Sequence, residues 1–352
     1  MRRSITTALL ALALVSAACS DDDAAGAPGA TSTTAAVTTA APATTALATT
    51  TTTAPVTTVA PVTTTVADVS PEPVTFTGVD EVESVITDTS RTVVLTGDLV
   101  EVVYALGAAD RIAAVDVTAA FPAEANALPK VGFGQQLAAE AVLSFGPTLV
   151  IGDQLVGPQE SIDQIRSAGV PVVILETQTT LDGVTEKIGQ VAEILGLEDE
   201  GRTVSTRVAA EIAEAQELAA RAASPQNVAF VYIRGPETLL LFGQGMVTQA
   251  MIEGANAIDT GAVAGVRGAV PLTPEALVSA APDVIVLPSL GLEALGGLDA
   301  FRTIPGVAET PAGRDDRFLE YEDTFFLNFG PRTGQALRTL VLDLYPELAE
   351  GA

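Results

Sequence analysis

The sequence predicts an α/β protein with two similar lobes joined by a long helical segment. From about Phe76 onward, short β-branched runs alternate with longer amphipathic stretches. This pattern is typical of parallel strands covered by helices. The alternation stops between residues 181 and 223, where only helical sequence is found, and resumes afterwards. One segment of the first half also recurs in the second half.

The strands are predicted from dense runs of Val, Ile and Leu, which suit positions buried on both faces of a sheet. In the first half these runs are Val93–Leu95, Ile112–Val115, Leu149–Ile151 and Val172–Leu175. In the second half they are Val228–Ile233, Leu239–Phe242, Val284–Leu287 and Arg317–Tyr321. Between the first-half strands, helices are predicted over Leu99–Leu106, Ala138–Phe145 and Gln159–Ala168.

The segment between the two halves is predicted to be helical with one interruption, at Gly196. The part that follows, residues 200–223, would be about 36 Å long at the helical rise of 1.5 Å per residue. We therefore expect a long, rigid helix to join the lobes.

The repeated segment begins at Leu137 and again at Leu272, 135 positions later. Leu, Glu, Ala, Ser and Pro fall at the same offsets, and a predicted strand follows the proline in each copy. This repeat indicates an internal duplication. It places Glu140 and Glu275 at matching positions of the two halves.

The beginning of the chain has the pattern of an export signal. Arg2 and Arg3 precede the apolar stretch Ala8–Val15, and small residues lead to Cys19. The pattern resembles a bacterial lipoprotein signal, in which the thiol is acylated and becomes the mature N-terminus. The alternative is a plain secretory peptide with an incidental thiol. Because Cys19 is the only cysteine, no intramolecular disulfide can form, which favours lipidation.

A low-complexity segment of Thr, Ala, Pro and Val follows the signal. Proline every few residues blocks both helices and sheet ladders, so this segment is predicted to be a disordered stalk. The predicted organisation is a signal over 1–19, a stalk over 20–75, a first lobe over 76–180, connecting helices over 181–223 and a second lobe over 224–352.

Composition and motifs restrict the possible functions. The formal net charge of -27 argues against a nucleic-acid partner, because phosphate would be repelled. Histidine is absent, which removes the commonest general base and transition-metal ligand. The sequence contains no nucleophile elbow, phosphate-binding loop or dinucleotide fingerprint. We therefore predict a binding protein, not an enzyme, with its ligand in the cleft between the lobes.

Several segments resemble the haemin-binding proteins of ABC importers, a class that also includes cobalamin- and iron-siderophore-binding proteins. They are Thr96–Gly107, Leu128–Gly132, Pro271–Glu275, Gly291–Asp299, Thr310–Gly313 and Phe329–Thr333. The resemblance implies two Rossmann-like lobes joined by a rigid helix, the helical-backbone form of periplasmic binding proteins. It also implies a monomer that carries haem as a transported ligand, with a permease and its ATPase as partners and no intrinsic cofactor. In relatives an acidic residue on each lobe docks onto the permease, and Glu140 and Glu275 match these positions.

The resemblance also suggests how haem iron would be held. Some relatives use a first-lobe tyrosine, where this chain has Phe121 or Phe133. Others pair a first-lobe histidine with a second-lobe tyrosine that is followed two residues later by arginine, a pattern matched by Tyr232 and Arg234. The arginine would favour the tyrosinate that iron(III) prefers. The alternative is that Tyr232 packs on the sheet as a core residue.

The remaining site predictions are less specific. Phe121, Phe133 and Phe242 are candidate porphyrin walls, Gln136 or water is a candidate sixth ligand, and Lys130, Arg234 and Arg267 are candidate propionate partners. Two further functions stay open. One is cobalamin or siderophore binding, and the other is an adhesive surface domain without a transport role.

Overall fold

The computed structural model of the protein describes residues 73–351. The predicted export signal, Cys19 and most of the predicted stalk lie outside these residues. Among the helices of residues 73–351, none is long and apolar enough to cross a lipid bilayer.

The first lobe is a parallel sheet preceded by a small hairpin. Its elements are β1 (Val74–Thr77), β2 (Glu83–Ile86), β3 (Thr92–Val94), α1 (Gly97–Ala105), β4 (Ile112–Val115), α2 (Ala139–Leu143), β5 (Leu149–Asp153), α3 (Gln159–Ser167) and β6 (Val172–Leu175). Strands β4, β3, β5 and β6 lie side by side in that order, and all pairs are parallel. Their carboxyl ends therefore meet at one edge.

The globular part begins earlier than predicted. Strand β1 includes residues 74 and 75, which the sequence analysis assigned to the stalk. Val74 pairs with Ile86 in the antiparallel β1–β2 hairpin and packs against the hydrophobic core. These contacts order the segment, although its four-residue alternation is too short to predict a strand.

The connecting segment consists of two helices, α4 (Leu181–Leu195) and α5 (Glu198–Ala219). Thr180 caps the start of α4 by accepting a hydrogen bond from the Gly183 N–H. Gly196, where the interruption was predicted, ends α4 in the left-handed conformation with φ +67°, which glycine adopts without strain. Helix α5 ends four residues before the predicted boundary at 223.

The second lobe has a mixed sheet. Its elements are β7 (Asn227–Ile233), β8 (Leu239–Phe242), α6 (Val247–Gly254), β9 (Ile258–Asp259), α7 (Thr260–Val263), β10 (Ala269–Pro271), α8 (Pro274–Ala280), β11 (Val284–Pro288), α9 (Ser289–Leu295), α10 (Leu298–Arg302), α11 (Pro311–Arg314), β12 (Phe318–Tyr321), α12 (Asp323–Leu327) and α13 (Thr333–Leu344). The strand order is β10-β8-β7-β11-β12, with β9 paired to β7. Strands β7, β11 and β12 are parallel, whereas β8 and β10 are antiparallel to their neighbours.

The predicted fold class, two α/β lobes joined by helices, is confirmed. The repeated segment forms the same pair of elements in each lobe, α2 followed by β5 and α8 followed by β11. Helix α13 packs along α5, and α5 packs along α4, so the connecting helices are held on both sides. The largest hydrophobic cluster runs through these helices and into both sheets.

Candidate functional site

A cleft of about 600 Å³ lies between the two lobes. This volume is within the usual range of small-molecule sites, ~300–1,000 Å³. On the first-lobe side it is lined by residues at the carboxyl ends of strands, where α/β sheets place ligands. On the second-lobe side it is lined by residues that follow β7, precede α6 and end α12.

The first-lobe side of the cleft is acidic. Asp116 follows β4 directly and is buried, and one of its carboxylate oxygens accepts hydrogen bonds from the Thr118 N–H at 3.1 Å and hydroxyl at 2.7 Å. Burial raises the pKa of Asp116 to about 6, although these hydrogen bonds act in the opposite direction. Asp153 ends β5 and accepts a hydrogen bond from the Thr177 hydroxyl at 2.8 Å. Burial also raises the pKa of Asp153.

A third carboxylate, Asp98, lies near the start of α1 and forms an ion pair with Lys187 of α4. The Lys187 side chain is only 3% exposed. Burial acts to raise the pKa of Asp98, but the neighbouring Lys187 ammonium and the hydrogen bonds to the carboxylate together hold that pKa below its usual range. The three carboxylates and one ammonium leave this wall negatively charged.

The second-lobe side of the cleft is mostly apolar. It is lined by Met246, Val247, Leu327 and Phe329, together with Asn328 and Arg234. The Arg234 side chain forms no ion pair with any residue in 73–351, so its charge is available to a ligand. Apolar residues of the first lobe, including Phe133, Leu155 and Val156, contribute the opposite face.

Tyr232 is half-buried beside the cleft and is not among the residues that line it. It lies on β7, and its ring stacks on Phe242 with centroids 5.4 Å apart and planes 15° apart. It belongs to the same hydrophobic cluster as the cleft residues Met246 and Val247. Its ring thus packs on the sheet, and Arg234, two residues later, lines the cleft.

The other tyrosines differ from Tyr232 in their contacts. Tyr321 donates a hydrogen bond to Asp343 at 2.7 Å, and Tyr345 donates one to the Asn256 carbonyl at 2.8 Å. Within residues 73–351, the hydroxyls of Tyr232 and Tyr104 form no hydrogen bond. Tyr104 lies on α1, outside the cleft lining. Of the four tyrosines in the chain, only Tyr232 both lacks a hydrogen bond within residues 73–351 and lies two positions from a cleft-lining residue, Arg234.

Several predicted site residues lie elsewhere. Phe242 is a buried core residue, because the pairing of β8 with β7 turns its ring onto Phe230 and Tyr232. Lys130 donates hydrogen bonds to the carbonyls of Ala119 and Ala125 at 3.0 and 3.1 Å. Arg267 is exposed on the loop before β10 and does not line the cleft.

Two further predicted residues, Gln136 and Phe121, do not line the cleft. Phe133 lines the cleft as predicted, but its neighbour Gln135 lines it instead of Gln136. Phe121 does not line the cleft; its ring stacks against the Arg332 guanidinium, with 3.6 Å between the carbon of the guanidinium and the ring centroid.

Glu140 and Glu275 occupy equivalent places in the repeat. Each is the second residue of its helix, α2 or α8, and each is exposed. Neither forms an ion pair with a residue in the described part of the chain. The repeat therefore places a free carboxylate at an equivalent surface position of each lobe.

Glu101 and Arg332 are functional candidates that the sequence analysis missed. Arg332, just before α13, donates two hydrogen bonds to Glu101 on α1, at 2.8 and 2.6 Å. Burial leaves the pKa of Glu101 above its usual range, although Arg332 acts to lower it. Asp116 and Asp153 were missed as well, although their positions directly after predicted strands could have pointed to them.

The chain is similar to known proteins in both sequence and structure. The profile of the periplasmic binding protein family matches residues 92–324. The structure of the periplasmic haem-binding protein RhuT from Roseiflexus sp. RS-1 is 41% identical, covers 74% of this chain and all of that one, and superposes with a TM-score of 0.72. The haem-binding protein HmuT is 35% identical, with coverage of 78% of this chain and 90% of that chain and a TM-score of 0.73.

HmuT is also represented by alanine variants of one histidine, one tyrosine and one arginine, and the last two are two positions apart. Among curated sequences, the ABC transporter substrate-binding lipoprotein YvrC of Bacillus subtilis is 24% identical over 250 residues, which is 70% of this chain and 77% of YvrC. The vitamin B12-binding protein of Pectobacterium atrosepticum is 26% identical over 126 residues, which is 36% of this chain and 45% of that protein.

The family profile covers most of the globular part, and the haem-binding structures match both lobes. The resemblance to haemin-binding proteins that the sequence indicated is therefore confirmed, and the chain belongs to the periplasmic binding protein family.

Proposed function

We propose that this protein captures haem outside the cytoplasm and delivers it to the permease and ATPase of an ABC importer. The observation that carries the proposal is the lining of the cleft. Both lobes contribute apolar side chains to it, and the exposed Arg234, which forms no ion pair within the described residues, lines it as well. A porphyrin has two apolar faces and two anionic propionates, so this combination suits it. The 41% identity to a haem-binding protein supports the same ligand.

Tyr232 is the candidate axial ligand for the haem iron. Its hydroxyl forms no hydrogen bond within the described residues, and Arg234 follows at the spacing of the tyrosine and arginine altered in the HmuT variants. An adjacent cation favours the tyrosinate that binds iron(III). Reaching the iron requires the Tyr232 ring to turn from its stacked position on Phe242, or the haem to enter beside it.

The chain has no histidine, so a first-lobe histidine ligand is impossible. The opposite face of the iron would then be open, or be approached by water or the Gln135 amide, which lines the first-lobe wall. We expect a five-coordinate or weakly six-coordinate iron.

Delivery to the importer would use Glu140 and Glu275. One exposed, unpaired carboxylate on each lobe suits a permease with two equivalent subunits, each offering a cation. The predicted acylation of Cys19 would hold the protein at the outer face of the membrane, and the match to the substrate-binding lipoprotein YvrC supports a lipid anchor. We expect the anchored protein to be a monomer.

The decisive experiment is a titration of the full-length protein with haemin, followed by absorbance. We expect a tyrosinate-to-iron charge-transfer band that Tyr232→Phe abolishes. The matched control is Tyr104→Phe, which removes another hydroxyl without a hydrogen bond but away from the cleft. If haemin causes no spectral change in the unaltered protein, haem is not the ligand.

A corrinoid is the second candidate, and the acidic first-lobe wall favours it. Asp98, Asp116 and Asp153 offer hydrogen-bond acceptors, which suit the amide N–H groups around a corrin better than they suit propionates. The match to a vitamin B12-binding protein supports this alternative. Calorimetric titration with hydroxocobalamin in parallel with haemin decides between them, because each proposal requires its own ligand to bind more tightly.

A further inference from the structure

One short segment of the second lobe contacts both the cleft and the first lobe. We call residues 328–332 the Asn328–Arg332 segment; it joins α12 to α13. Asn328 at its start and the adjoining Phe329 line the cleft. Arg332 at its end reaches the first lobe. The position of this cleft wall thus depends on how the segment is held.

The first lobe holds the segment through Glu101. The Glu101 side chain is 2% exposed and the Arg332 side chain 14% exposed. The Arg332 Nε donates to one Glu101 oxygen at 2.8 Å and its Nη2 to the other at 2.6 Å. Asn328 donates a third hydrogen bond to the same carboxylate, at 3.0 Å. A bidentate pair of this kind fixes orientation as well as distance.

Two further contacts restrict Arg332. Phe121, from the loop after β4 of the first lobe, stacks on the guanidinium at 3.6 Å. Thr324 of the second lobe accepts a hydrogen bond from Nη2 at 3.2 Å. A Cβ placed on the buried Gly330 would lie 3.8 Å from a Glu101 carboxylate oxygen, so the backbone of the segment also packs closely on α1.

Among residues 73–351, Glu101–Arg332 is the only ion pair that joins the two lobes directly. Arg166–Asp80 lies within the first lobe, Lys187–Asp98 joins α4 to the first lobe, and the others lie within α5 or within the second lobe. Within the described residues, one ion pair therefore connects the two walls whose spacing sets the width of the cleft.

We propose that Glu101 and Arg332 are positioning residues that set the width of the empty cleft before the ligand arrives. They touch no ligand themselves. They act by holding Asn328 and Phe329 at a fixed distance from the first-lobe wall. When a binding-competent arrangement is only partly populated, the apparent dissociation constant rises by the inverse of its fraction. A pair that keeps this fraction near one raises affinity without adding a contact.

The test measures the distance between the lobes without ligand. Spin labels are attached at Ser167→Cys on α3 and Ser279→Cys on α8, both exposed positions, with Cys19→Ser so that no other thiol is present. In this background we compare Glu101→Gln, which keeps the shape and loses the charge, with Arg302→Gln. Arg302 is the matched control because it pairs with two carboxylates inside the second lobe.

We expect one narrow distance distribution for the unaltered protein and for Arg302→Gln, and a broad or shifted one for Glu101→Gln. Haemin affinity should fall about tenfold in Glu101→Gln. Since a lone buried Arg332 could impair folding, the paired change Glu101→Leu with Arg332→Met removes both charges and should fold normally. A narrow, unshifted distribution in this double variant would overturn the proposal.

The affinity readout rests on the proposed function, whereas the distance readout does not. If haemin fails to bind the unaltered protein but Glu101→Gln still broadens the distance, the haem proposal falls and the positioning role stands. If haemin binds and the distances do not change, the positioning role falls alone.

Discussion

The two lobes contain the same repeated helix–strand unit and both line the cleft with apolar side chains, but they present different charged groups to it. The first lobe faces it with Asp98, Asp116 and Asp153, and the second with apolar side chains and Arg234. The buried runs of β5 and β11 are alike, whereas the residues that follow the strands are not. Core positions of the repeat retain a common scaffold, and the loops at the strand ends carry the difference in ligand contacts.

The contrast also extends to how each lobe is attached. The first lobe is tied to α4 by the buried Lys187–Asp98 pair, and the second lobe is tied to α5 by the packing of α13. The first attachment adds a buried ion pair to its apolar packing, whereas no ion pair among the described residues joins α13 to α5. Removing a charge should therefore lower the stability of the first lobe more than that of the second.

The largest effect is expected from Lys187→Met. It leaves the Asp98 carboxylate beside the cleft without its partner, and removing one member of a buried pair costs about 3–5 kcal/mol of unfolding free energy. The control is Arg202→Gln on α5, whose pair with Asp199 is mostly exposed and should contribute less than ~1 kcal/mol. Urea denaturation measures both. Equal losses in the two variants would contradict the prediction.

The next effect concerns pH and Asp116. Folding raises the pKa of this buried carboxyl from 3.8 to about 6, so the folded protein takes up its proton more readily than the unfolded chain. Asp116 therefore stabilises the fold below about pH 4, and this stabilisation is lost as the pH rises through about 6. The unfolding free energy of the unaltered protein, relative to Asp116→Asn, should fall by about 2 kcal/mol between pH 4 and pH 7.

The control for Asp116→Asn is Asp110→Asn, an exposed first-lobe carboxylate. Its difference from the unaltered protein should change little over the same pH range. If the difference in unfolding free energy between Asp116→Asn and the unaltered protein also changes little with pH, the Asp116 side chain is not protonated in the folded protein near pH 5.

A smaller effect is expected from Arg234→Gln. Loss of a charge-assisted hydrogen bond to a ligand costs ~1.5–3 kcal/mol, so haemin affinity should fall about tenfold or more. Lys130→Gln in the first lobe should leave affinity unchanged, because its ammonium is bound to the Ala119 and Ala125 carbonyls. Haemin titration at two salt concentrations measures both variants. A loss in Lys130→Gln that matches the loss in Arg234→Gln would remove the chemical contrast between the lobes.

The smallest effect is expected where the lobes are alike. Glu140→Gln and Glu275→Gln each remove one exposed carboxylate, so each should weaken docking by about 1 kcal/mol or less, a severalfold change at most. Haemin binding should be unaffected. Stimulation of importer ATPase activity in proteoliposomes measures docking. A loss confined to one of the two variants would contradict the expected two-fold symmetry.

Most of the fold was predictable because dense apolar runs are local signals. Strands β4, β6 and β8 have the predicted bounds, and α4 ends where Gly196 predicted an interruption. The short strands β1, β2, β9 and β10 were missed, since two to four residues cannot establish a period. They are defined by pairing, β1 with β2 in a hairpin, β9 with β7 and β10 with β8.

The site was less predictable because it depends on contacts between distant residues. Phe133 and Phe242 both adjoin a glycine, yet one lines the cleft and the other is buried by the pairing of β8 with β7. Glu101 lies among Val, Leu and Tyr on α1, and only folding brings Arg332 to it. No local pattern marks a partner that lies more than 200 positions away.

The paired helices α4 and α5 have a consequence for how the cargo is given up. Because α4 and α5 pack on each other and α13 packs on α5, we expect the helices that link the lobes to bend little. Little of the energy of capture can then be stored in bending this linkage. We therefore expect the importer to supply the free energy needed to release the ligand, in an amount set by the affinity of the cleft.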